Sequence, residues 1–88
     1  MEKRVVTLTN TEGLHARPAA IFVKVANRFN SELEISTAQR KVNGKSIIGI
    51  MSLGAFHGET IQLVCKGLDE LEMADTLSGL IENGFKEV

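Results

Sequence analysis

The chain of 88 residues has very few of the residues that form cross-links, metal sites or aromatic binding platforms. It contains one cysteine, Cys65, and neither tryptophan nor tyrosine. A single cysteine cannot form an intramolecular disulfide and has no neighbouring ligands for a metal, so we expect a structural Cys65, no metal and no cofactor. A net charge of −1 and the missing stacking aromatics argue against nucleic-acid binding, which usually needs a basic face.

Long apolar runs are missing as well. No segment has the length that a membrane-spanning helix needs, and no basic leader precedes a cleavage site. We therefore expect a cytoplasmic protein without membrane insertion. With 43% hydrophobic residues, a chain this short can form one modest core, which predicts a single domain over residues 1–88. We also expect a monomer, although composition does not determine the oligomeric state.

The segment GLHARPAA at residues 13–20 combines a histidine, an arginine and the start of a helix. Pro18 is tolerated in a first helical turn, and the apolar residues after it recur at helical spacing. His15 is therefore expected at or next to the N-cap, where the N–H groups of Ala16 and Arg17 and the helix dipole can bind an anion. Arg17 adds a permanent charge whose fork geometry matches phosphate oxygens.

These features suit a phosphoryl group carried on His15. The ordinary pKa of imidazole is about 6.5, so a neutral ring nitrogen is available as a nucleophile near neutral pH. No Asp or Glu follows within a few residues on the same helix to orient His15, which favours a carrier over a self-contained enzyme. Taken alone, a single histidine near a helix start is more often structural than catalytic.

Hydrophobic periodicity predicts seven elements in the order β-α-β-β-α-β-α. Ser46 is placed to cap the short second helix, and Asp69 and Glu72 have the spacing of a capping box. The order predicts an α/β (α+β) fold, an open-faced β-sandwich with three helices on one face of a four-stranded antiparallel sheet. The expected strands are residues 5–8, 33–37, 40–42 and 60–66, and the expected helices are residues 16–29, 47–53 and the segment from Asp69 onward.

A second segment, NGKSIIGIMSLG at residues 43–54, places Ser46 before a short apolar stretch. Together with residues 13–20 it resembles the two signatures of the HPr family, the histidine-containing phosphocarriers of the bacterial sugar phosphotransferase system. The resemblance covers essentially the whole chain, and it implies that His15 accepts a phosphoryl group from enzyme I and passes it to sugar-specific IIA domains. One departure is Glu12, where family members commonly have a small neutral polar residue and where a carboxylate would oppose the phosphoryl charge.

The resemblance also implies a regulatory role for Ser46. In the Gram-positive branch of the family, HPr kinase/phosphorylase phosphorylates this serine. Taken alone, Ser46 is an ordinary N-cap. A phosphoserine is tolerated at a helix N-terminus, so the modification could change partner binding, including recruitment of the catabolite control protein, without unfolding the chain.

The short second helix has more apolar residues than one inner face needs. Ile50 and Leu53 are the better core candidates, although the pattern alone equally allows every apolar residue of this helix in the core. Exposed apolar groups beside a reactive centre often mark a partner surface. The resemblance implies that enzyme I and the IIA domains dock on six residues, namely Ala20, Lys24, Asn27, Ile47, Ile48 and Met51.

Two other interpretations remain open. A regulatory HPr paralogue would act through phosphorylated Ser46 and a transcription factor, but in such paralogues the active-site histidine is replaced, and here His15 is present. The carrier of the nitrogen-linked phosphotransferase branch shares the histidine but generally lacks the serine motif, so Ser46 disfavours it. His57 belongs to neither motif and is interpreted as a loop residue.

Overall fold

A computed structural model, which describes residues 1–86, has seven elements in the predicted order. Residues 87 and 88, the end of the predicted domain, lie outside the described residues. None of the helices within residues 1–86 is both long and apolar enough to cross a membrane. The elements are β1 Glu2–Thr7, α1 Ala16–Ala26, β2 Glu32–Ser36, β3 Lys41–Asn43, α2 Ile47–Ser52, β4 Thr60–Lys66 and α3 Glu70–Glu82.

The four strands form one sheet in the order β1-β4-β2-β3, and every neighbouring pair is antiparallel. Along the central strand β4, Ile61, Leu63 and Cys65 are buried and alternate with more exposed residues, as one covered sheet face requires. Helix α3 packs on β1 and β4, and α1 packs on both α2 and α3. The predicted fold class is confirmed.

The hydrophobic core lies between the sheet and the helices, and Cys65 is part of it. Burial is the main cause that raises the pKa of the Cys65 thiol, which agrees with a structural cysteine. Hydrophobic spacing places Met73, Leu77, Leu80, Ile81 and Gly84 on or near the inner face of α3, and the first four are buried. Gly84 lies beyond the helix end, where its φ of 74° continues the chain into a turn that returns Phe85 to the core.

Helix α1 ends at Ala26, three residues before the predicted end at Phe29. The N–H of Arg28 donates to Val25 O at 3.0 Å, and that of Phe29 donates to Ala26 O at 3.2 Å. Both bonds span three residues, so the last turn tightens and leaves the α-helical pattern. Phe29 remains only partly buried against the core.

The strand bounds differ from the predicted ones by a few residues. β1 begins at Glu2 instead of Val5, because its polar first half pairs with β4, with Glu2 opposite Cys65. β2 and β3 are each shifted by one residue, and β4 has the predicted bounds. Where a strand begins and ends depends on its register with the neighbouring strand. The alternation of apolar and polar residues within one strand carries no information about that register.

The predicted capping box at Asp69 is wrong. Asp69 is the N-cap residue of α3, but its side chain makes no cap hydrogen bond. The carboxylate instead accepts from the N–H groups of Asn30 and Ser31, each at 2.9 Å, and from the Ser31 hydroxyl. Asp69 therefore ties the start of α3 to the chain just before β2.

These hydrogen bonds predict a stability that falls in acid. The Ser31 hydroxyl, followed by the Asn30 N–H, holds the pKa of Asp69 below its ordinary value of 3.8. A carboxyl whose pKa is lower in the folded state stabilises the fold fully above its unfolded pKa, and this contribution is lost as the pH falls through the folded value. Asp69→Asn is expected to unfold at lower urea concentration than the wild type at neutral pH, with a difference that shrinks as the pH falls below 3.8.

Ser31→Ala is the companion variant, because it removes the donor that contributes most to the pKa shift. Its stability is expected to depend less steeply on acid pH than that of the wild type. Urea unfolding at a series of pH values measures both variants. A stability difference between wild type and Asp69→Asn that stays constant through the acid range would contradict this assignment.

The loop between β1 and α1 lies against the loop that precedes β4. Leu14 N–H donates to Ala55 O at 3.0 Å, and Gly58 N–H donates to Leu8 O at 2.8 Å. Gly13 has a φ of 63°, and a Cβ there would collide with Ala55 O and lie 2.7 Å from the Cα of Phe56. Only glycine fits this position, both for its backbone conformation and for the close approach of the second loop.

Gly13→Ala is expected to destabilise the protein by more than about 2 kcal/mol, because the left-handed backbone alone costs a residue with a Cβ about 1–2 kcal/mol and the collision adds to that. Gly54→Ala is the matched control, since Gly54 has a φ of 64° with nothing within 4 Å of the added carbon. Chemical denaturation measures the two free energies of unfolding. Equal losses in the two variants would show that the contact between the loops contributes nothing.

Candidate functional site

His15 is the N-cap residue of α1, as predicted, and it is exposed. Its backbone is extended, with φ −128° and ψ 153°, and its side chain makes no capping hydrogen bond. The first turn of the helix contains no acidic residue. The first N–H groups of a helix have no partner within it, so this end of α1 presents donors and positive potential to an anion beside the imidazole.

The backbone is strained directly after the histidine. Ala16 has a φ of 44°, in the left-handed region that residues with a Cβ rarely adopt. Such a conformation costs about 1–2 kcal/mol and persists only where the surrounding structure holds it. Here it is held between the buried Leu14 on one side and the buried Pro18 and Ala19 on the other. The strained turn thus sets the position of His15 relative to the helix.

Arg17 lies in the first turn of α1 and is exposed. No ion pair or hydrogen bond engages its guanidinium within the part of the chain that the structure describes. A guanidinium two residues from the histidine can add bidentate hydrogen bonds to an anion held there. His15, Ala16 and Arg17 all lie at the start of α1, and their role in phosphoryl transfer stays a prediction.

The second motif is joined to the first through the backbone. Helix α2 ends at Ser52, and the chain passes through Gly54 to Ala55, whose carbonyl accepts the Leu14 N–H at 3.0 Å. Leu14 is the residue directly before His15. The segment that follows the serine motif is thus bonded to the segment that carries the histidine.

Ser46 caps α2, as predicted. Its Oγ accepts the Gly49 N–H at 3.0 Å, and its carbonyl accepts the Ile50 N–H at 2.9 Å. At the other end of the helix, the Arg40 guanidinium donates to Ser52 O at 2.6 Å, where a cation is favourable. This short helix is therefore held at both ends, and Ser46 is partly exposed beside its N-terminus.

The apolar residues of α2 divide between the core and the surface. Ile50 and Leu53 are buried, whereas Ile48 is 82% exposed and Ile47 is 43% exposed. Met51 is less exposed than expected, because it packs against the core. We call the residues predicted to dock partners the α1–α2 surface; they are Ala20, Lys24 and Asn27, all exposed on or next to α1, and Ile47, Ile48 and Met51 on α2.

The α1–α2 surface is held together by packing between the two helices and by one hydrogen bond. The Lys45 ammonium donates to Phe29 O at 2.6 Å, which links the turn after α1 to the start of α2. The structure places all six residues on or next to these two adjacent helices. Their role in binding partners stays a prediction.

The sequence did not predict the hydrogen bonds that hold the loop between β1 and α1, which ends at His15. Asn10 bonds Gly13 within that loop, and His57, interpreted as an ordinary loop residue, has its Nδ1 3.2 Å from Asn10 O. The spacing of Asn10 and Gly13 is typical of a polar turn and was the available signal. Among residues 1–86, no group of three His, Cys, Asp or Glu side chains could hold a metal ion.

Comparisons with known proteins all point to one family. The family model of the PTS HPr component phosphorylation site matches residues 2–83. The HPr-like protein Crh of Halalkalibacterium halodurans is 50% identical over 82 residues, which are 93% of this chain and 96% of Crh. The phosphocarrier protein HPr of Treponema pallidum is 38% identical over 87 residues, 99% of each chain.

Among solved structures, HPr-C-His from Thermoanaerobacter tengcongensis matches with a TM-score of 0.94 and 44% identity, and the match covers 100% of both chains. The family model, the relatives and the fold agree over almost the entire chain. The chain therefore belongs to the HPr family of the phosphotransferase system, which contains phosphocarrier and HPr-like proteins and not enzymes.

Proposed function

We propose that this protein accepts a phosphoryl group on His15 from phosphorylated enzyme I and passes it to sugar-specific IIA domains during sugar uptake. The observation that carries the proposal is the exposed His15 at the N-terminus of α1, with the exposed Arg17 in the first turn. A phosphoryl group on this imidazole would meet backbone donors, the helix dipole and a permanent cation.

The transfer itself needs little chemistry from this chain. A neutral imidazole nitrogen of His15 attacks the phosphorus, the new N–P bond forms as the bond to the donor breaks, and the donor group leaves with its electron pair. Phosphoryl transfer depends mainly on alignment and electrostatic stabilisation. The helix dipole contributes about 0.3–1 kcal/mol at an exposed site, which can hold the group but cannot activate a donor. Activation therefore belongs to the partner proteins.

The same proposal includes regulation at Ser46 by HPr kinase/phosphorylase. Phosphorylation would add a charge of about −1.5 to −2 at the N-terminus of α2, where it is tolerated. The phosphate would lie next to the exposed Ile47 and Ile48 of the α1–α2 surface. It would oppose acidic partners there and recruit the catabolite control protein.

A regulatory role without phosphoryl transfer is the second candidate, and one observation favours it. The HPr-like Crh of Halalkalibacterium halodurans is 50% identical to this chain. The main argument for the carrier is that this chain retains His15 beside Arg17, whereas the regulatory paralogues have the histidine replaced. A phosphorylation assay on His15 separates the two functions.

We further propose that the monomer, in the cytoplasm, is the form that transfers the phosphoryl group. His15, Arg17 and the α1–α2 surface all lie on one copy of the chain. An HPr of Thermoanaerobacter tengcongensis and the Crh of Bacillus subtilis were solved as dimers. Light scattering on this protein, before and after phosphorylation, measures which form is present.

The carrier function predicts a phosphoryl adduct on one residue. Incubation with phosphoenolpyruvate and enzyme I is expected to add a single acid-labile phosphoryl group, because phosphohistidine hydrolyses in acid and phosphoserine does not. Intact mass spectrometry detects the adduct. His15→Ala is expected to give none.

Arg17→Lys tests whether transfer needs the bidentate hydrogen-bonding geometry of the Arg17 guanidinium. It keeps the charge but loses bidentate geometry, so phosphoryl transfer is expected to slow by about tenfold or more, in line with the strength of charge-assisted hydrogen bonds. If folded wild-type protein acquires no adduct with an active enzyme I, the carrier function is wrong and the regulatory candidate takes its place.

The regulatory role of Ser46 predicts a second, acid-stable adduct with ATP and HPr kinase/phosphorylase. Protein carrying this adduct is expected to accept a phosphoryl group from enzyme I at least about tenfold more slowly, because like charges that meet across an interface cost several kcal/mol. Mass spectrometry of samples quenched at successive times follows both adducts and measures the rate. An unchanged rate would argue against regulation of transfer.

Two substitutions separate the modification from the capping role of Ser46. Ser46→Ala is expected to lose about 0.5–2 kcal/mol of stability, since Gly49 N–H loses its acceptor, whereas Ser46→Asn is expected to stay close to wild type because Asn is a good N-cap. Neither variant should be phosphorylated by the kinase. Acid-stable phosphorylation of Ser46→Asn would place the modified residue elsewhere.

A further inference from the structure

Asn10 lies in the loop between β1 and α1, five residues before His15 and outside both sequence motifs. Its Nδ2 donates to Gly13 O at 3.0 Å, and Gly13 N–H donates back to Asn10 O at 3.3 Å. These two bonds close a small ring. They hold both polar backbone groups of Gly13, whose φ of 63° directs the chain toward His15.

Asn10 also contacts the loop that precedes β4, which we call the opposing loop. The Nδ1 of His57 lies 3.2 Å from Asn10 O, and it donates to that oxygen when it carries a proton. On the far side of Gly13, Leu14 N–H is held by Ala55 O at 3.0 Å. The two residues before His15 are therefore fixed from their own loop and from the loop opposite.

The rest of the Asn10 side chain is costly to stability. Its Oδ1 is buried and has no hydrogen-bond partner in the described part of the chain. A buried acceptor without a partner is unfavourable, and a small apolar residue would avoid it. The Nδ2 bond to Gly13 O accounts for an asparagine at this position, because an aliphatic side chain cannot supply that donor.

We propose that Asn10 is a positioning residue for phosphoryl transfer at His15, and that His57 of the opposing loop supports it. The inference rests on the proposed carrier function. Asn10 acts through Gly13 O and fixes the chain on the N-terminal side of His15, while the strained Ala16 and the buried Pro18 fix it on the helical side. An imidazole that is aligned before the donor arrives needs no reorganisation during the transfer.

Asn10→Asp and Asn10→Leu together are the sharpest test, because both side chains keep the approximate shape of asparagine and lose the donor to Gly13 O. Asp adds a charge and Leu does not, so a loss of rate that both variants share is not an effect of the added carboxylate. The rate of phosphoryl transfer to His15 at saturating protein is expected to fall by about tenfold or more, since small misplacements of reacting groups are costly. The protein concentration at half-maximal rate is expected to stay unchanged, because the α1–α2 surface is intact. The ring signals of His15 in an NMR spectrum are expected to shift.

Asn83→Asp is the matched control. Asn83 Nδ2 donates to Lys86 O at 3.4 Å, so the same change removes the same type of bond at the far end of α3. This variant is expected to transfer at the wild-type rate with unshifted His15 signals. Any loss of stability can then be compared between the two variants by denaturation.

A wild-type transfer rate and unshifted His15 signals in Asn10→Asp would overturn the inference and leave the carrier function intact. If the wild type itself accepts no phosphoryl group, the carrier function fails, and the His15 signals alone decide whether Asn10 positions the imidazole. If Asn10→Asp does not fold, His57→Ala takes its place. Its expected loss of rate is about two- to tenfold, the range that one neutral hydrogen bond supports, and an unchanged rate overturns the inference.

Discussion

The site depends on the backbone contact between the loop after β1 and the loop before β4. The Leu14 N–H to Ala55 O bond joins the residue before His15 to the segment that follows α2. The contact requires glycine at position 13, because any Cβ there would occupy the space of Ala55 O. Antiparallel pairing of β1 with the central strand β4 brings the two loops to the same end of the sheet. Through this pairing, motifs about thirty residues apart become neighbours.

The chemistry of the site follows from the N-terminus of α1, whose first backbone N–H groups lack a side-chain cap. Ser46 caps α2, whereas His15 leaves the N-terminus of α1 without a side-chain cap. The N-terminus of α3 has no side-chain cap either, because the Asp69 carboxylate binds the chain before β2. The free N–H groups and the strained Ala16 are unfavourable for stability and useful for holding an anion. The rest of the fold, with its buried core on one face of the sheet, keeps this unfavourable arrangement in place.

Several features of the fold and site were predictable because their causes are local. The order of the elements follows from periodicity, and the positions of His15 and Ser46 follow from the helix starts beside them. Other features depend on distant partners. Asp69 has the spacing of a capping box with Glu72, yet its carboxylate binds Ser31, 38 positions away in the chain. The exposure of Ile48 and the partial burial of Met51 likewise depend on how α2 rests against α1, which periodicity over six residues cannot determine.

The sequence by itself determined the family, the order of strands and helices and the histidine at a helix start, because motifs, turn residues and capping preferences act between near neighbours. Only the tertiary structure decided the register of β1 against β4, the contact between the two loops, the strain at Ala16 and the ring that Asn10 forms with Gly13. These features arise when segments far apart in the chain compete for the same space and the same hydrogen bonds. Their outcome is set by the whole packed fold and not by any stretch of its sequence.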